Sequence, residues 1–113
     1  MEAEFFNGLS DSEVERLSLL AEECAETIQA VTKIMRHGYE SVNPCVSDSP
    51  NNRANLEEEI GNIVYAVSLM IVCQDLNKEK IAEGAQKKAE NVGPYLHHQD
   101  KTIVEELKTW GIK

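Results

Sequence analysis

Two short stretches of this chain hold the residue types from which a cation site can be built. Leu19-Leu20-Ala21-Glu22-Glu23-Cys24-Ala25-Glu26 sets three carboxylates inside an otherwise apolar run, and Leu56-Glu57-Glu58-Glu59-Ile60-Gly61-Asn62-Ile63-Val64 sets three more in a second. In a helix Glu22 and Glu26 are i,i+4 neighbours and Glu23 and Glu26 are i,i+3 neighbours, so the three project from one side. At about 100° per residue, Glu22 and Glu26 fall opposite the main apolar stripe, together with Glu15 and Lys33. Taken alone, that is a solvated polar face. Leu19 and Ala30 share the side of Glu23 and Glu26, however, so the face is not wholly polar and is expected to be covered.

The second stretch is more specific. Glu57 and Glu58 read as first-turn acids that complement a helix dipole. Glu59 instead shares its side with Leu56, Ile63 and Ala66, and Asn62 flanks the same side one turn on. A carboxylate directed towards apolar neighbours needs compensation, because a buried unpaired charge costs on the order of several kcal/mol. A cation shared between the two stretches would supply it. Hard oxygen ligands favour Mg²⁺ or Mn²⁺. No histidine accompanies the acids at i+3, so a Glu-x-x-His di-iron pattern is absent. His37, His97 and His98 lie outside the helical motifs and read as surface residues.

The rest of the chain must position these acids. Its 113 residues make one domain, 1–113, with 42% hydrophobic but only 5% aromatic content, so the core is expected to be aliphatic and helical. With 20 acidic against 11 basic residues the net charge is −9, which argues against nucleic acid or an anionic membrane as the main partner. A clustered acidic surface suits divalent cations and metal-bridged phosphates instead. Cys24, Cys45 and Cys73 are odd in number and form no C-x-x-C pair; Cys24 and Cys73 sit within apolar patterns as small hydrophobes. Together with an acidic start, Met1-Glu2-Ala3-Glu4, that lacks a signal-peptide pattern, this implies a reduced, cytoplasmic protein. The apolar run Ile63–Cys73 is too short to span a bilayer.

The chain reads as all-α. Residues 1–9 form an N-terminal arm in which Phe5 and Phe6 are expected anchors. Ser10-Asp11-Ser12-Glu13 is a capping box that opens a first helix. Leu17, Leu20, Ala21, Cys24, Ile28, Val31 and Met35 recur along it at helical spacing, and Gly38 ends it after Lys33, Arg36 and His37. A long loop follows over 38–54. A second helix begins near Asn52–Asn55 and is expected to run to about Leu76, apolar almost all round from Ile63 to Cys73. Such a helix must be buried on several sides, which predicts a homodimer or homotetramer. Asn77 caps a third helix to about Val92, Gly93-Pro94 stops it, and a C-terminal tail over 99–113 carries a short helix near Lys101–Thr109, with Trp110 as its packing anchor.

Read together, Glu22-Glu23-Cys24-Ala25-Glu26 on one helix and Glu59-Ile60-Gly61-Asn62 on the next resemble the E-E-x-x-E and E-x-x-D motifs of the all-α nucleoside triphosphate pyrophosphohydrolases. These are the MazG-like proteins, with dimeric dUTPases, dCTP pyrophosphatases and phosphoribosyl-ATP pyrophosphohydrolases as relatives. Lys87, Asn91 and Tyr95, at i, i+4 and i+8, match the phosphate-contacting set on the following helix of some members. The resemblance spans about residues 10–98 and implies a four-helix-bundle-type fold, completed by oligomerisation, that cleaves a (d)NTP between its α and β phosphates. It implies Glu23, Glu26, Glu59 and Asn62 as metal ligands, and Glu22 as either a ligand to a further ion or the base for the attacking water. Lys87, Lys88, Asn91 and Tyr95 would hold the phosphates. Asn62 departs from the family pattern, where an acid stands, and so removes one charge. The competing reading is a non-catalytic nucleotide-binding or oligomeric interaction module in which the acids are only wet helix faces.

Overall fold

The computed structural model describes residues 6–110, and among them every regular element is helical. They fall into two compact units that divide after Cys73.

The first unit is a pair of long helices. The helix α1, Asp11–His37, starts where Ser10 accepts from the Glu13 amide at 3.2 Å and the Glu13 carboxylate accepts from the Ser10 amide at 2.9 Å. It stops at Gly38, whose φ of 88° suits only glycine and whose amide reaches the Ile34 carbonyl at 2.7 Å. The helix α2 spans Asn52–Val72, capped by the Asn51 side chain, which accepts from the Ala54 amide at 2.9 Å. It is one turn shorter than the apolar run suggests. Gln74 takes a left-handed φ of 68°, and the chain turns through 73–76 instead of continuing to Leu76.

The connection between them, residues 38–51, is fastened at its base. Amides of Asn52 and Arg53 donate to the carbonyls of Ser41 and Tyr39, both at 2.9 Å. The Arg53 guanidinium donates to Glu40 through Nη2 at 2.7 Å and Nε at 3.2 Å, and it lies 4.3 Å from the centre of the Tyr39 ring. The last three residues of the predicted 38–54 loop therefore belong to α2.

Along α1 the half-buried and buried positions are Glu13, Arg16, Leu20, Glu23, Thr27, Ala30 and Ile34, joined by Leu19 and Glu26. They alternate three and four apart, the spacing of a helix–helix seam. On α2 the matching seam runs through Leu56, Glu59, Ile63, Ala66 and Met70. Ala30, Ala66 and Met70 are the buried apolar residues of this unit among those described. The expected cover lies over the Glu23 and Glu26 side. The strongest apolar stripe of α1 is not its covered face: Leu17, Cys24, Ile28 and Met35 are exposed, Met35 by 81%. Its covered face is the mixed one that carries Glu23 and Glu26.

In the second unit, α3 spans Lys78–Val92 and is capped by Asn77, which accepts from the Lys80 amide at 3.0 Å. A 3-10 turn, Gly93–Tyr95, follows, and α4 spans Lys101–Trp110. Gly93 is buried, and a Cβ there would lie 2.7 Å from a Val104 methyl, so only glycine lets the turn approach α4 this closely. Phe6 is 95% exposed rather than an anchor, with almost none of its surface packed on the described residues. Phe5 and the Trp110 side chain, also expected anchors, lie outside the described residues.

Candidate metal centre

Asn52 at the start of α2 donates to the Gly38 carbonyl at the end of α1, and Glu26 hydrogen-bonds with Glu59, so the helices run antiparallel. In the middle of their seam stand three carboxylates. Oxygens of Glu23, Glu26 and Glu59 all lie within 4.8 Å of one another. One oxygen of Glu23 and one of Glu59 are buried with no hydrogen-bond partner. The Glu26 carboxyl is raised above the ordinary glutamate range. The hydrogen bond with Glu59 is the largest cause, then the charge of Glu23, partial burial, and the charges of Glu59 and Glu22.

Such a cluster is unfavourable by itself. Like charges repel, and each desolvated oxygen has lost its water without gaining a donor. The tighter hold of Glu26 on its proton relieves part of this; a divalent cation would relieve more, by bringing two positive charges and a partner for the orphaned oxygens. The donor set fits the ion: three acidic side chains from two helices, all hard oxygen, with orphaned lone pairs facing inward.

The sequence-predicted residues are thus sorted. Glu23, Glu26 and Glu59 are brought together. Glu22 is exposed, outside the cluster but close enough for its charge to act on Glu26. Asn62 is half-buried, one turn beyond Glu59 on the same helix. Lys87, Lys88 and Asn91 lie exposed on α3, and Tyr95 sits in the 3-10 turn that follows it, 76% exposed. Sequence reasoning misses Gln29, Asn52 and Asn55, which with Lys33, Glu26 and Glu59 line a polar cavity of about 360 Å³. A signal for two of them exists: Asn52 and Asn55 continue the Glu59 side of α2 towards its N-terminus.

A family comparison matches residues 12–97 to the MazG nucleotide pyrophosphohydrolase domain. The chain belongs to that family. The match takes in both acidic helices and α3, so the MazG domain contains the whole carboxylate cluster. Comparison with curated proteins and with solved structures returned no match. No helix among the described residues is long and apolar enough to cross a membrane.

The raised Glu26 carboxyl carries a testable sign. In the folded metal-free MazG domain Glu26 holds its proton more tightly than in the unfolded chain, so this group stabilises the fold at low pH. That contribution fades as pH rises through and just above the usual glutamate range. Thermal melting of the metal-free protein is therefore expected to fall across this window, and saturating Mg²⁺ should remove the fall at neutral pH while releasing protons. A metal-free melting temperature that climbs over the same window would contradict the assignment.

Proposed function

We propose that this chain is a metal-dependent (d)NTP pyrophosphohydrolase that cleaves between the α and β phosphates, giving a nucleoside monophosphate and pyrophosphate. One observation carries the reading. Three carboxylates from two helices converge within 4.8 Å, two of their oxygens buried without partners, in a nucleotide pyrophosphohydrolase domain. Glu23, Glu26 and Glu59, with the side-chain oxygen of Asn62, would hold Mg²⁺ or Mn²⁺. Held there, the ion would supply positive charge against the phosphate chain and Lewis acidity towards the attacking water.

The remaining work falls to this chain's own groups. Water adds its oxygen to phosphorus, the bridging P–O bond breaks towards pyrophosphate, and a carboxylate takes the water's proton. Glu22 is the group for that last role, because it is exposed beside the cluster and outside it. Lys87, Lys88, Asn91 and Tyr95 would contact the phosphates, in keeping with the exposure of all four. The two unpartnered apolar faces of α1 and α2 support a homodimer or homotetramer.

Asn62, which brings no charge, favours a second reading: a nucleotide-binding module with a weakened metal site. A panel of canonical and modified (d)NTPs with Mg²⁺ or Mn²⁺ separates the two. We expect monophosphate and pyrophosphate as the products. Orthophosphate alone would refute the bond assignment, and binding without turnover would favour the second reading.

A further inference from the structure

Beyond the carboxylates, α1 ends in a cluster of basic side chains. Lys33, Arg36 and His37 line a second cavity of about 390 Å³ beneath the 38–51 connection, and no Asp or Glu lines it. In a chain of net charge −9 that is a pronounced local reversal. Basic residues at a helix C-terminus do complement its dipole, which accounts for their presence there. It does not account for the shape. Lys33, Asn52 and Asn55 line both this cavity and the one that holds Glu26 and Glu59, so the two form one polar groove.

Asn52 donates to the Gly38 carbonyl and Ser49 to the Pro50 carbonyl, but four other side chains along the groove are free to donate. Among the described residues the side chains of Lys33, Arg36, His37 and Asn55 make no ion pair or hydrogen bond. The first-turn amides of α2 are already used, by Ser41, Tyr39 and Asn51, so an anion here would be held by side chains rather than by the helix terminus. Glu26 and Lys33 are two turns apart on α1, about 10 Å along the axis, and Arg36 lies one turn further. A groove with a cation-binding acidic end and a cationic far end is built for a chain of phosphates, one end bridged by metal and the other met by ammonium and guanidinium groups.

We infer that the Lys33–Arg36–His37 end of this groove is a subsite for the distal phosphates of the substrate. The inference rests on the pyrophosphohydrolase reading above and adds to it a second set of phosphate contacts, on the same unit as the carboxylates. The test uses inorganic tripolyphosphate, which has the tail and no base. Calorimetry with the full chain and Mg²⁺ should show tripolyphosphate binding, and kinetics should show it competing with the nucleotide.

In the Lys33→Gln, Arg36→Gln double variant, tripolyphosphate affinity should drop about a hundredfold, roughly tenfold for each charge-assisted contact. The nucleotide KM should rise with little change in kcat, and metal affinity should stay constant. Lys33→Arg with Arg36→Lys should recover most of the loss. Both side chains are exposed, so the helix stays intact in every variant. Unchanged tripolyphosphate affinity in the double Gln variant overturns the subsite, as does non-competitive binding or a change in base preference alone. Those results leave the carboxylate site standing if Glu59→Gln still abolishes hydrolysis. A protein that hydrolyses no nucleotide yet loses tripolyphosphate in the double variant would keep the anion site and remove the enzyme reading.

Discussion

Glu59→Gln is expected to abolish metal-dependent hydrolysis, lowering kcat/KM at least about 10²–10³-fold, while the protein keeps its helix content. The side chain keeps its shape and loses its charge. Gln keeps an oxygen to accept the hydrogen bond from the Glu26 carboxyl, and the oxygen of Glu59 that is buried without a partner gives up nothing, so the metal-free protein loses little and sheds a repulsion with Glu23 and Glu26. The two effects should therefore part company. Without metal the variant should melt at or above the parent temperature; with Mg²⁺ it should no longer gain the parent's added stability. Circular dichroism melting with and without the ion reads both. Full activity in this variant would show that the three carboxylates are not the metal centre. Lower metal-free stability would show that the hydrogen bond between Glu26 and the Glu59 carboxylate outweighs the repulsion among the three acids.

Val64→Glu is expected to break self-association, shifting the protein from an oligomer towards a 12.7 kDa species in sedimentation. Val64 is 59% exposed, with Ile60 one turn before it and Val72 two turns after it also open. On α1, Leu17, Ala21, Cys24, Ile28, Val31 and Met35 repeat at three- and four-residue steps and are exposed as well. A second copy covering these faces would bury the new carboxylate with no partner, weakening association about a hundredfold or more. In an isolated chain the same substitution falls on a mostly exposed position and should change stability little. A parent protein that sediments as a monomer would assign the covering of these faces to something other than a second copy.

Much of this architecture is legible in the amino-acid sequence. Ser10 with Glu13, Gly38 and Asn77 mark helix ends because each solves a local problem of unpaired amides or positive φ, and local problems are written in adjacent residues. Glu59 is legible for a related reason, since its apolar neighbours at i−3, i+4 and i+7 sit on the side that is covered. The covered face of α1 is not legible in this way. Periodicity reports which side of a helix is apolar, not which side its own chain covers. The intrachain seam here contains Glu, Arg and Thr because it houses charge, while the cleaner apolar stripe is left outward. The far end of α2 escapes prediction because the apolar run gives no sign that Gln74 turns left-handed. In sequence, Lys33, Arg36 and His37 are ordinary basic residues of the last turns of a helix; only the shared groove places them in line with Glu26 and Glu59.

The clasp formed by Arg53, Glu40 and Tyr39 has a consequence for how such a protein can diversify. It closes the connection at its root, so the crossing of α1 and α2, and with it the spacing of the three carboxylates, does not depend on what residues 42–49 are. Lengthening that segment would add only a slowly growing chain-closure entropy. The tip overhangs the cationic end of the groove, where Ser41, Asn43 and Ser49 already face the cavity. It is a replaceable part mounted on a fixed engine, and ligand preference can drift there while the chemistry stays where it is.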